Sequence, residues 1–511
     1  MLKIVQKLFK DFGGYSVRSC VMKKEKKDKK LISRRSTLKG MGAIGALGFL
    51  GSKTAGCNEE RFTGAGLTSD SREARKKIFQ KVFETAFIDT HEHLPDEGER
   101  LNGNYCRYRK RADDWSIIFA HYLDSDMRSV GMSKKDWKKF FSAKVEPSKK
   151  WELIKTVWPF IKNTGYGQAV CIAMKELYGV DELSAKTVKK VQAGYEKVRR
   201  PGFYNRILCD LAKIESCQVN SGDGFRETSM PTLLMQDIGI VGMFAGPELR
   251  LGKPTGVKVA SLYDWHEVID WWFNKYAKYA VAVKSQNAYS RNIDYEKVTT
   301  EEAEAIFEKR LREQSLAAKE QKALEDHLFW YAVNKATEHG LPVKLHTGYY
   351  AIWDDKKPRM PLSRLAGNPG AATDLCRMSP ETRFVFMHIC YPYYEAMISI
   401  AKHYPNAYVD MCWAWIINPV AAKDFLKKYL VTAPANKILT FGGDYSPVEP
   451  VLGHAAIARR GIALALTELV EEEWLSLDGA MELIDPIMHG NARSIFNLGE
   501  KEKLLSRVKW G

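Results

Sequence analysis

The stretch FIDTHEHL, residues 87–94, sets two apolar residues ahead of Asp89, His91 and His93, with Thr90 and Glu92 between them. Side chains of an extended strand alternate faces, so Asp89, His91 and His93 fall on one side of it. A carboxylate and two imidazoles at every second position suit a strand whose end opens on a functional site. Such a site needs further strands around it and further ligands from them.

The rest of the chain supplies both. Beyond residue 200, short apolar runs alternate with helical segments. The strand-like runs are SCQVNS (216–221), IGIVGMFA (238–245), YAVAVKS (279–285), LPVKLHTG (341–348), RFVFMHI (383–389), NAYVDMCW (406–413) and KILTFGGD (437–444). With AFIDTHEH (86–93) they make eight. Several are apolar throughout, as strands covered on both faces are. Helical segments lie between them at 262–278, 300–339 and 393–404, the long Glu/Lys-rich one reading as a solvated face. Eight strand–helix repeats predict a (β/α)8 TIM-type barrel of the α/β class. The open doubly wound sheet lacks its G-x-G-x-x-G turn here. Residues 71–86 read as a helix feeding the first strand. Residues 100–200 read as a helical insertion between strands one and two, ended by Pro201-Gly202.

The formal charge of +16 is concentrated at the front of the 511-residue chain. Residues 1–57 hold 14 Lys/Arg against 3 Asp/Glu, a net of +11 that leaves +5 for everything else. No basic stripe interleaved with aromatics is present, so no nucleic-acid partner is expected. The front reads instead as an export leader: a lysine-rich segment, Arg34-Arg35, then 11 small and apolar residues from Met41 to Gly51, too few to span a bilayer. SRRSTLKG resembles a twin-arginine signal, and TAGC ending at Cys57 resembles a lipid-attachment site, which together place the protein outside the cytoplasm, periplasmic or lipid-anchored. Residues 58–71 form a linker, 72–498 the barrel with its insertion, and 499–511 a tail. Seven cysteines follow Cys57 without a C-x-x-C pair and read as small buried residues. The composition leaves a homo-oligomer open.

Polar residues close the later apolar runs: Lys284 in YAVAVKS, His346 in VKLHTG, His388 in FVFMHI and Asp444 in FGGDYS. Any one of them could be a buried polar group satisfied by neighbours. As an ordered set with H-x-H they point to a metal centre at the barrel mouth. No G-x-S-x-G, P-loop or H-E-x-x-H is present to support a serine hydrolase, an NTPase or a zincin.

This order, H-x-H on strand one, Lys on four, His on five and six and Asp on eight, resembles the amidohydrolase superfamily over residues 84–498. The tail MHGNARSIFNL (488–498) is similar to the closing motif of its amidohydrolase-2 branch, and the insertion gives a distant likeness to uronate isomerases. The resemblance implies that His91, His93, His346 and Asp444 hold one divalent metal, zinc before manganese or iron, with a second metal as the alternative arrangement. It implies Asp444 as proton shuttle and His388 as the group polarising the bond under attack. Lys284 then bridges two metals or meets an anionic substrate, and Asp89 orients a ligand histidine from behind. Near the mouth, Tyr289 and Arg291 are candidates to hold substrate, Arg291 by a bidentate grip on a carboxylate, and Trp413 and Trp415 are candidates to stack on it. His339, His403 and His454 read as surface or packing residues. The expected function is hydrolysis of an amide, ester or lactone bond in a small polar, acidic substrate. Decarboxylation, uronate isomerisation and a catalytically inactive solute-binding barrel are the alternatives.

Overall fold

The computed structural model describes residues 69–103, 113–247, 249–350 and 369–510. The leader, the linker up to residue 68 and Cys57 lie outside the described residues. The residues from Glu73 onward form one compact unit, which holds the barrel.

The helix Ser69–Glu84 leads into the first of eight parallel strands: β1 (Phe87–Glu92), β2 (Ile214–Asn220), β3 (Leu234–Ile240), β4 (Val283–Ser285), β5 (Val343–His346), β6 (Phe384–Met387), β7 (Ala407–Asp410) and β8 (Ile438–Leu439). Each pairs with the next in that order. Past β8 the chain turns back to β1. Thr90 N–H donates to Phe441 O at 3.0 Å, Asp444 N–H to His91 O at 2.8 Å and His93 N–H to Tyr445 O at 2.9 Å. The sheet is therefore a (β/α)8 barrel, as the eight repeats predict.

Two expectations need correction. The third strand lies at Leu234–Ile240, and most of the run expected as strand, Val241–Ala245, is helical. Gln236 and Asp237 inside it broke the apolar signal, yet both are buried. The 300–339 segment is two helices, Thr300–Leu311 and Ala318–Glu338, rather than one solvated face. Leu324, Leu328, Ala332 and Ala336 recur every fourth residue and form a buried stripe on the second.

The barrel floor is apolar. Ile88 of β1, Met235 of β3, Val385 of β6 and Leu439 of β8 cluster with Ala492, Ile495 and Phe496 from the C-terminal helices. Leu498 and Leu505, on either side of the boundary expected at residue 498, belong to that same cluster. Above the floor a charged pair crosses the interior. Lys344 on β5 donates to Thr90 O on β1 at 2.8 Å and to Asp237 on β3 at 3.0 Å. Strands one and five are not neighbours, so a side chain joining them passes through the inside of the barrel.

The insertion between β1 and β2 is helical, with Gly165–Tyr178 and Val188–Val198 its longest helices. The first packs on the barrel helix Glu449–Glu471, where a Cβ on Gly453 would run into Ala169 O. Buried Arg100 adds a tie, donating to Glu449 of that helix at 3.0 Å and to Tyr195 of the insertion at 2.7 Å. The insertion also reaches the mouth, where the Tyr122 ring stacks on Trp413 at 5.4 Å and the His121 ring meets His93 at 5.2 Å.

Candidate metal centre

Two strand ends from opposite termini of the barrel build the centre. His91 Nε2 lies 3.2 Å and His93 Nε2 3.1 Å from the same oxygen of Asp444, Oδ1. A register shift between Asp89 and Glu92 interrupts the ladder to β2, so the simple alternation expected from the sequence does not run through H-x-H. Asp89 does not orient a histidine ring, as expected; it accepts from the backbone N–H of His91 and of Gly443, each at 3.1 Å. Glu92 accepts from Tyr445 N–H at 2.6 Å. The two buried carboxylates thus hold the turn that carries Asp444. Gly443 is required there, because a Cβ would run into Glu92 Oε1. Asp444 itself has φ 60°, an unfavourable conformation for a non-glycine residue that aims its carboxylate at the histidines.

The electrostatics follow from burial and these contacts. Burial works to raise the Asp444 carboxyl, but hydrogen bonds from His91 and His93 hold it well below the usual carboxylate range. Burial keeps His91 neutral, well below the ordinary imidazole value, and lowers His388 to about 4. Asp89 rises to about 6 and Glu92 well above its ordinary value, both through burial first. Glu92 therefore carries the proton of this pair.

The remaining expected residues divide. The His388 ring lies 4.4 Å from that of His346 and 6.4 Å from that of His91, so both histidines line the centre. His388 Nδ1 donates to Cys412 O at 3.1 Å, which leaves the Nε2 lone pair free. His346 Nε2 donates to Tyr349 O at 3.1 Å, and His346 is not among the groups that converge on Asp444 within 4.8 Å. Lys284 is fully buried in the interior with Nζ 2.7 Å from the Met387 sulfur, and burial lowers it to about 8. Tyr289 packs on His346 at 4.6 Å. Trp413 lines the site, 5.3 Å from His388 edge to face.

Arg291 and Trp415 are corrections. The Arg291 guanidinium bonds Glu325 at 3.0 Å and also Asp326, and lies 4.4 Å over the Tyr295 ring, so it has no face left for a substrate carboxylate. Trp415 is a core residue, fully buried, its indole N–H donating to Thr440 O at 2.8 Å.

Three residues at the centre were not expected from the sequence. Tyr122, from the insertion, hydrogen-bonds Asp444 through its hydroxyl; burial and that carboxylate push its pKa well up, so it stays a donor. Cys412 lies with His388 and Asp444 in a second group of potential ligands. His454, expected to be a surface or packing residue, is buried and donates from Nδ1 to Gly443 O at 3.2 Å, steadying the Asp444 turn. Only Cys412 gave a signal, closing an apolar run as His388 does.

The donor set fits a divalent cation. A carboxylate accepts only, so without a cation both imidazole N–H groups must crowd one oxygen. His91 Nδ1 is left buried with no hydrogen-bond partner. Two imidazoles and an ionised carboxylate within 4.8 Å, in a site largely shielded from water, are the ligand types that zinc-class ions take.

Residues 265–498 match the family model described as amidohydrolase. Over 233 residues the chain is 25% identical to Protein fluG of Emericella nidulans, an alignment covering 43% of this chain and 26% of that protein. The chain thus spans about a quarter of that relative. The uronate isomerase of Thermotoga maritima superposes with a TM-score of 0.67 at 15% identity, covering 83% of this chain and 97% of that one. The glucuronate isomerase of Caulobacter crescentus superposes with a TM-score of 0.65 at 16% identity, covering 84% and 95%. At these identities the likeness to both isomerases is one of fold.

Proposed function

We propose that the protein is a metal-dependent hydrolase of an amide, ester or lactone bond in a small polar substrate, a reading supported by the match of residues 265–498 to the amidohydrolase family model and by the eight-stranded barrel around the centre. The observation that carries this reading is the meeting of His91 Nε2 and His93 Nε2 on Asp444 Oδ1 at 3.2 and 3.1 Å. His91, His93 and Asp444 would hold one divalent ion, zinc by ligand type, while His346 lines the centre with its Nε2 proton given to Tyr349 O. Such an ion, when bound, supplies a water acidified to near neutral pH and a Lewis acid for the scissile carbonyl.

The protein's own groups do the rest. Asp444, held ionised, takes the proton of the attacking water and returns it to the leaving group. Tyr122 donates to that carboxylate and fixes which oxygen faces the substrate. His388, neutral and donating Nδ1–H to the Cys412 carbonyl, presents its Nε2 lone pair to the centre, where it accepts from a substrate N–H or O–H. Lys284, with its pKa lowered to about 8, is the remaining cationic group for an acidic substrate now that Arg291 is committed elsewhere. The insertion covers part of the mouth and excludes water from these groups. We also propose that the leader at residues 1–57 directs export, leaving the enzyme periplasmic or lipid-anchored at Cys57.

Metal analysis of the purified protein, followed by a panel of small N-acyl, ester and lactone compounds read by mass spectrometry, tests the proposal. Products whose summed mass exceeds the substrate by one water, lost in Asp444→Asn, are expected. Loss of carbon dioxide or an unchanged mass would replace hydrolysis with decarboxylation or isomerisation. A metal-free wild type whose activity survives Asp444→Asn would end the metalloenzyme reading and leave a binding barrel.

A further inference from the structure

We propose that His388, Cys412 and Asp444 form a second cation site beside the His91–His93 pair, selective for a thiophilic divalent ion and sharing Asp444 as the bridging carboxylate. One ligand atom from each of the three lies within 4.8 Å of the others, and all three residues are buried. An imidazole, a thiol and a carboxylate together suit zinc or cadmium and select against magnesium or calcium.

Each ligand is held in place by neighbours. The Cys412 carbonyl takes the Nδ1 proton of His388, so the lone pair of that ring is on Nε2. Cys412 N–H donates to Asp410 Oδ1 at 2.8 Å, and Trp413 N–H to Gly442 O at 2.9 Å, which fixes the backbone on both sides of the sulfur. The thiol fits only because residue 442 is glycine, where a Cβ would lie 2.7 Å from Cys412 Cβ and 2.9 Å from its Sγ. His388, Trp413 and Asp444 all have φ near +60°, so backbone strain gathers at the turns that present this set. A cysteine serving only to fill space needs none of this. The set uses neither Lys284 nor His346, so no modified lysine is required to join the two ions.

The proposal rests on the metal centre described above, because both ions share Asp444, and metal counting separates the two. The full-length protein is stripped with a chelator and titrated with Co²⁺ and with Cd²⁺. Bound metal per chain is measured along with the sulfur-to-metal charge-transfer absorption. Two equivalents are expected in the wild type, the second bringing the absorption band. Cys412→Ser and Cys412→Ala should both fall to one equivalent without the band. Cys171→Ser/Cys209→Ser, which alters the two partly exposed cysteines among the described residues, should keep two equivalents and the band. One equivalent without a band, or a band that survives Cys412→Ser, overturns the second site and leaves the first standing. One equivalent whose band depends on Cys412 also overturns it, since the sulfur then belongs to a single centre. No bound metal overturns both.

Discussion

Replacing Lys344 by methionine isolates the energetics of the charged layer beneath the metal centre. Lys344 and Asp237 are both completely buried, and Lys344 Nζ lies 3.0 and 3.2 Å from the two oxygens of Asp237. It also donates to Thr90 O, one residue before His91, at 2.8 Å. Burial raises the Asp237 carboxyl, and Lys344 is the first group to pull it back. Methionine nearly preserves the volume but leaves a buried carboxylate without its cation, a change that costs about 3–5 kcal/mol. At about 2.1 cal/mol/K per residue, a barrel of this length loses about 1 °C per kcal/mol, so Lys344→Met should melt about 3–5 °C low. Adding Asp237→Asn removes the stranded charge and limits the loss to unmet hydrogen bonds, about 1–2 kcal/mol. Calorimetry of the wild type, both single variants and the double variant completes the cycle. The reasoning fails if Lys344→Met melts within about 1 °C of wild type, or if the double variant melts below the Lys344→Met single variant.

Gly443→Ala should destabilise the protein by about 1–3 kcal/mol, the range for overpacking, and reduce bound metal, because the new methyl runs into Glu92 at the Asp444 turn; a wild-type melt and metal content would refute this. Tyr122→Phe should retain fold and metal but lower kcat about 10–100-fold, the worth of a hydrogen bond to a charged group; unchanged kcat would remove Tyr122 from the machinery. Burial pulls His266 down from 6.5 to about 4, with His327 Nε2 3.1 Å away, Tyr331 stacked on it at 3.8 Å and Lys335 nearby. The folded protein therefore binds this proton less readily than the unfolded chain, so the contribution is complete above pH ~6.5 and lost as pH falls toward ~4, by roughly 2 kcal/mol after solvent screening. Urea midpoints of His266→Phe against wild type across that range should show the variant losing less; parallel curves would refute it.

The barrel was legible because β4, β6, β7 and β8 lie in short, mainly apolar runs separated by helical segments, with a polar residue at or just beyond the end of each. The third strand was misplaced because Gln236 and Asp237 interrupt it; only Lys344, over 100 residues later, makes Asp237 tolerable in the interior. H-x-H was legible as a pair of ligands, but its geometry depends on a register shift that alternation does not foresee. Arg291 was misread because Glu325 and Asp326, which satisfy it, lie 34 and 35 residues away on a helix that looked solvated. Tyr122 left no signal at all, being one aromatic among many in the insertion. Its meaning comes from tertiary placement over Asp444.

The floor of the barrel sets an order of events during synthesis. Every candidate ligand has been made by residue 444, yet β1 is sealed underneath by Ala492, Ile495 and Phe496, which leave the ribosome only later. A chain stopped anywhere between those points would carry all the metal-binding side chains with no stable enclosure to bring them together. Truncations between residues 444 and 492 should therefore be recovered as metal-free, protease-sensitive chains instead of partly active ones.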